Sequence, residues 1–199
     1  MIGGFLGGYA IFNFCDVFGN AQTANLIKLV LKFFAGDFTA VAFLAIGFFT
    51  YVAGNVFYTV ARKYLSLDLK ALSLVLLSCA VIVVGILPYN TNAYLAVLPI
   101  LFVTPIQWNA YITAGEYTSA TIFSTNNLRV ATVSLTSYIL DKDKSQLARS
   151  RFYWVTLFFY YFGVAFACVV SMCFGMNGIW FCFVPIVASV FAYLRYIKI

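Results

Sequence analysis

Between Asp37 and Arg62 the chain reads FTAVAFLAIGFFTYVAGNVFYTVA (38–61), twenty-four residues without a charge. A helix needs about 20 predominantly apolar residues to cross a bilayer, so this stretch alone predicts one membrane span. Two longer charge-free intervals extend the pattern. Residues 71–115 are interrupted by the turn signal Pro88-Tyr-Asn-Thr-Asn92 and divide into spans near 70–88 and 93–112. Residues 152–194 are broken at Gly175-Met-Asn-Gly178 and give spans near 151–174 and 178–196. The opening segment, Met1 to Cys15, is apolar and short for a full span. It lacks a basic n-region and a small-x-small cleavage site, so it is read as the first of six helices rather than as a signal peptide. Its pairs Gly3/Gly7 and Gly4/Gly8 predict close helix packing in lipid.

Composition agrees. Hydrophobic residues make up 64% of the 199 and charged residues 9%, against roughly 25% charged in soluble domains. So few charges exclude a soluble enzyme, a disordered tail and a nucleic-acid binder. The net charge of +6 is read as topology instead. With the first helix starting in the cytoplasm, that side receives Arg62, Lys63, Lys70, Arg129, Lys142, Lys144, Arg149, Arg151, Arg195 and Lys198; the far side receives Lys28 and Lys32. Both termini are then cytoplasmic. The chain has no His, which removes the commonest general base and metal ligand. Its five cysteines form no CxxC, so neither a zinc site nor a disulfide framework is expected, and no metal or other cofactor.

A short repeat carries the functional reading. Asn20-Ala-Gln-Thr-Ala-Asn-Leu26 and Phe123-Ser-Thr-Asn-Asn-Leu128 share Thr-x-Asn-Leu, with Thr23/Asn25 answered by Thr125/Asn127 at an offset of 125 − 23 = 102 residues. Each copy precedes a moderate apolar stretch and then a span expected to begin with an aromatic pair, Phe48-Phe49 or Phe158-Phe159. The fold class that follows is an all-α membrane protein of six helices. It forms a single membrane domain of two three-helix repeats, 1–88 and 89–199, each with a short half-helix after its motif. An odd number of crossings per half inverts the second half, and inverted repeats build secondary transporters with a site near the midplane. A threonine capping each half-helix would leave amides and the positive helix end facing a cavity, which favours an anion or a carboxylate.

The candidate solute-binding residues are therefore Thr23, Asn25, Thr125 and Asn127, joined by Gln107 and Asn109 of the fourth span. Asp16 and Glu116 precede the motif threonines by seven and nine residues and are candidate coupling acids, since burial would favour their protonated form. The bland alternatives are that the motifs are turns and caps on interfacial helices, that both acids are solvated, and that Gln107, Asn109, Asn13 and Asn55 bond across helices.

Gly3-Gly-Phe-Leu…Tyr9, Val17-Phe-Gly-Asn-Ala-Gln-Thr-Ala-Asn-Leu26, Gln107…Asn109 and Ser124-Thr-Asn-Asn-Leu-Arg129 together resemble the YoaK-like family, DUF1275 (UPF0700), of bacterial multi-pass membrane proteins. The resemblance covers nearly the whole chain and implies about six helices in a bacterial plasma membrane. It departs at Ala24 and Asn126, where the family has Gly in each motif, and near Gly7-Gly8, where a family Asp is replaced. Loss of that acid weakens any proton coupling carried over from the family.

The leading expectation is a secondary transporter or facilitator of a small solute, with an anion favoured. The alternative is a non-transporting scaffold or partner-binding protein. The expected partners are the lipid bilayer, an unidentified small molecule and further copies of the chain through helix packing, and no nucleic acid.

Overall fold

The computed structural model describes all residues except Cys15, Asp16, Gly115, Ala120, Thr121, Phe123, Lys198 and Ile199. They form a helical bundle in the order α1 (Ile2–Asn13), α2 (Gln22–Phe34), α3 (Phe38–Tyr64), α4 (Leu69–Ile86), α5 (Ala93–Ala96), α6 (Leu98–Ala110), a hairpin of β1 (Thr113–Ala114) and β2 (Tyr117–Thr118), α7 (Thr125–Asp141), α8 (Lys144–Phe174), a 3-10 turn (Gly175–Cys182) and α9 (Phe183–Ile197). Among the described residues, four segments are long and apolar enough to cross a membrane: Phe38–Tyr64, Leu69–Ile86, Ala93–Ala110 and the 52-residue run Lys144–Arg195. By itself α1, at 12 residues, covers only about 18 Å at 1.5 Å per residue.

The long final run folds back on itself. Gly175 takes φ +57°, a conformation that a side chain resists, and the 3-10 turn returns so that Gly178 lies against the backbone of Val170 and Ser171. Helix α9 then runs antiparallel to α4: Trp180 covers Gly85 near one end, and the Tyr193 hydroxyl donates to the Asp68 carboxylate at the other. Tyr111, just past α6, donates to the Lys70 carbonyl at that same end.

Glycines set two further helix pairs, both parallel. Gly4 and Gly8 of α1 lie against Tyr160 and Val164 of α8, and Gly163 of α8 receives the backbone of Met1 and Phe5. This is the close packing that the small-residue spacing predicts. Gly47 and Gly54 of α3 meet Leu101 and the Phe102–Pro105 turn of α6 in the same way. So the opening helix of each half of the chain runs beside the long helix of the other half. The main core fills the space between these pairs with Phe5, Leu6, Tyr9, Leu77, Ile100, Leu101 and Ile179.

Helices α2 and α7 stand outside this core, α2 against α3 and α7 against α8. Each ends in a left-handed residue, Gly36 (φ +75°) or Lys142 (φ +58°), followed at once by an aspartate that caps the next helix. Asp37 accepts from the Ala40 amide, and Asp143 accepts from the amide and the hydroxyl of Ser145. Asp68 caps α4 likewise, accepting from Lys70 and Ala71.

Two boundary expectations change. The aromatic pairs Phe48-Phe49 and Phe158-Phe159 lie inside α3 and α8, not at their starts, because each helix begins at its capping aspartate. The fourth span is broken at Val97, where Pro99 restarts the helix as its second residue and supplies no amide donor.

Candidate functional site

The first Thr-x-Asn segment lies in the opening turn of α2. The expected threonine cap does not form. Ala21 is the N-cap, with extended backbone (φ −127°, ψ 100°) and no side chain to bond the first amides. Thr23 is exposed as the second residue of the helix. Asn25, only 3% exposed, reaches back seven residues: its Oδ1 accepts from the Phe18 amide at 2.9 Å and its Nδ2 donates to the Phe18 carbonyl at 2.8 Å. The amide side chain thus imitates a peptide group and clamps the incoming loop over the helix start.

The second segment repeats the arrangement. Ser124 is the N-cap of α7 without a side-chain cap bond, and Thr125 opens the helix. Asn127 is 1% exposed. Arg129, one turn into α7, donates to Asn126 Oδ1 at 3.2 Å. Unlike Arg62, Lys63, Lys144 and Arg195, which lie near helix ends, it lines the groove between the two helix starts.

Both helix starts lie near the middle of α8. In α7, Val130 and Ala131 pack on Tyr153 and Leu157, and the Ser150 hydroxyl donates to the Ala131 carbonyl, so Thr125 stands near the middle of α8. Asn20, 2% exposed, offers its amide nitrogen to the Gly3 carbonyl (3.0 Å), the Tyr160 hydroxyl (3.1 Å) and the Ile122 carbonyl (3.0 Å). Positions 20 and 122 are 102 apart, the offset of the two motifs, so the loops that lead into the two helices touch at matching residues. Gly7 leaves the space that the Asn20 side chain occupies.

Between these starts lies an open, mostly apolar groove of about 750 Å³. Ala21, Thr23, Ala24 and Ile27 line it from the α2 side, Thr125, Asn126 and Arg129 from α7, and Trp108 from α6. Two helix N-termini and a guanidinium make it electropositive, and no acid contributes to it among the described residues.

The other sequence candidates lie elsewhere. Gln107, 6% exposed, borders a separate cavity of about 190 Å³ with Leu74, Tyr111, Ser189 and the first residues of α1. Asn109 donates to Asn55 Oδ1 at 2.9 Å and to the Pro105 carbonyl at 2.8 Å, and Asn13 bonds Ser171 on α8, so both tie helices together. Glu116 is exposed in the turn of the β1–β2 hairpin, away from the groove lining. Asp16 lies outside the described residues. Among the described residues no three of His, Cys, Asp or Glu come together as metal ligands.

Sequence reasoning missed Arg129, Trp108 and Asn20 as parts of this region. Arg129 follows Thr125 by four residues, one helical turn, and that spacing is its signal. Asn20 opens the first repeat segment, three residues before Thr23, and that place is its signal; Trp108 carries none, since it reaches the region from α6 through helix packing.

The chain belongs to the family described as "Protein of unknown function (DUF1275)", which it matches over residues 1–192. No curated protein and no solved structure matches it.

Proposed function

We propose that the protein is a secondary transporter or facilitator of a small anionic solute, built as two inverted three-span repeats, 1–88 and 89–199. In this reading six crossings place both termini on the cytoplasmic side of a bacterial plasma membrane. The observation that carries it is the groove, where Thr23 and Thr125 meet across two helix starts with Arg129 beside them. A cation halfway along a membrane bundle is costly unless it is paired, so a site without an acid in its described lining calls for an anion from outside. The repeat is supported by the two parallel pairs, α1 with α8 and α6 with α3, by the twofold left-handed-residue-plus-aspartate turn, and by the contact between positions 20 and 122.

Purified protein in a neutral detergent is tested by thermal shift against a panel of organic and inorganic anions, since a ligand that binds only the folded state raises stability by mass action. Hits are then assayed for flux into vesicles containing the protein. A hit abolished by Arg129→Gln and weakened by Thr125→Ala, with flux, supports the reading. A blank panel, or binding that ignores both substitutions, removes it and leaves the scaffold alternative.

A further inference from the structure

Resting on that reading, we infer that the anion is a single-chain amphiphile, its anionic head held at Arg129 and its alkyl chain laid along the outer face of α2.

The size of the groove points first. A volume of about 750 Å³ equals that of roughly 25 liquid waters at about 30 Å³ each, far more than an inorganic anion fills. Its walls are the wrong kind for a compact, fully hydrated solute, since Ala21, Ala24, Ile27 and Trp108 are apolar or aromatic.

The groove also has an outlet. A second hollow of about 410 Å³, lined by Thr23, Leu26, Ile27, Val30 and Leu31, shares Thr23 and Ile27 with the first. The apolar surface is therefore continuous from the cationic end along α2. From Thr23 to Leu31 is eight residues, about 12 Å of helix. On the other side of the cation, the outer face of α7 is mixed: it exposes Thr132 and Thr136, with the Thr136 hydroxyl bonded to the Thr132 carbonyl, beside Val133 and Leu140. One cation and an apolar hollow continuous with its groove accommodate one head and one chain. A carboxylate at this depth is costly unless paired, and pairing is what a carrier of such an anion provides.

The test uses the full chain in neutral detergent with Trp154→Phe and Trp180→Phe, leaving Trp108 as the indole reporter. Dodecanoate bearing a nitroxide is expected to quench Trp108 saturably, with unlabelled dodecanoate competing and acetate at least tenfold weaker. Arg129→Gln is expected to weaken binding tenfold or more and Arg129→Lys only a few-fold, so that a poorly folding Gln variant does not leave the test open. Ile27→Asn is expected to weaken dodecanoate and spare acetate. Acetate or inorganic phosphate binding as well as dodecanoate, still dependent on Arg129, overturns the amphiphile while the transporter reading stands. Equal binding of dodecyltrimethylammonium marks non-specific partition and also overturns it. Failure of every anion to bind overturns both.

Discussion

The starts of α2 and α7 share a backbone and differ in what they present. Each begins beside the middle of a long helix, buries an asparagine two residues after its threonine, and ends in a left-handed residue before a capping aspartate. Outward, α2 shows Leu26, Ile27, Val30 and Leu31, whereas α7 sets Arg129, Thr132 and Thr136 among Leu128, Val133, Ile139 and Leu140. The shared features are those that folding requires of any helix starting inside a bundle, where loose polar backbone must be satisfied by protein. The unshared features are free to diverge. A duplicated scaffold can thus hold a site that is itself asymmetric, with charge on one side and apolar surface on the other.

The largest expected effect tests the shared part. Asn25→Ala removes both partners of Phe18 and leaves a backbone amide and carbonyl without their bonds. Unsatisfied buried groups cost about 1–3 kcal/mol each, so a loss of about 2–6 kcal/mol is expected in reversible denaturation. If the two helix starts use one device, Asn127→Ala loses a comparable amount. A loss several-fold smaller at Asn127 breaks the equivalence.

The unshared part predicts the opposite pattern, one side sensitive and the other not. Hydrogen bonds to charged groups are worth about 1.5–3 kcal/mol, so Arg129→Gln should weaken anion binding by about 10- to 100-fold. Lys28 follows the first motif one position later than Arg129 follows the second; the counterpart of Arg129 at the offset of 102 is Ile27, and Lys28 does not line the groove. Lys28→Gln should change affinity by less than about threefold, a difference under 1 kcal/mol. Equal losses measured by calorimetric titration would make the site symmetric and contradict the division of roles.

This division also explains what the sequence made legible. Charge-free intervals located α3, α4, the α5–α6 span, the far part of α8 and the reversal at Gly175, because the cost of burying charge is written directly in composition. They placed the start of α8 too late, near 151 instead of Lys144, since a helix continues past the apolar segment wherever its cap lies. Asp37, Asp68 and Asp143 stand directly before α3, α4 and α8 as caps, a signal that charge-free intervals alone do not use. The role of Asn25 was not legible, because its partner Phe18 lies seven residues upstream in a loop without regular spacing. The charge count gave Arg129 a membrane side and no more; that it lines the groove follows from its place one turn into α7, which counting cations by side does not resolve.

A smaller effect separates the two turns. Gly36 and Lys142 occupy the same left-handed position, where a side chain is strained. Nothing crowds Gly36 within 4 Å, so Gly36→Ala reports backbone conformation alone and should cost about 1 kcal/mol. Lys142→Gly should be stabilising by up to about 1 kcal/mol, the strain relieved less the added freedom of the unfolded chain. Thermal unfolding checks both signs. A stabilising Gly36→Ala would mean that the two turns do not share a conformation.

The smallest effect concerns the aspartates that follow those turns, which are held below the ordinary carboxylate range by different partners. For Asp37 the Ala40 amide contributes most, then the Lys32 ammonium at 2.9 Å; for Asp143 it is the Ser145 hydroxyl, then the Ser145 amide. A carboxylate with a lowered folded pKa adds stability that is fully present above its unfolded value, about 3.9, and is lost as pH falls through the folded value. Ser145→Ala should therefore raise the Asp143 pKa, leave Asp37 unmoved, and lower stability at neutral pH. Its deficit against the parent should close as pH falls below the folded value. Lys32→Gln should do the same for Asp37 and leave Asp143 unmoved. Salt adds a second separation: an exposed ion pair is screened at high ionic strength, whereas a hydroxyl donor is not. Carboxyl NMR titration in low and high salt should show Asp37 rising toward its ordinary value while Asp143 stays low. If salt moves both equally, the two caps are held by the same long-range field, and the distinction between an ion-paired turn and a hydroxyl-capped turn falls.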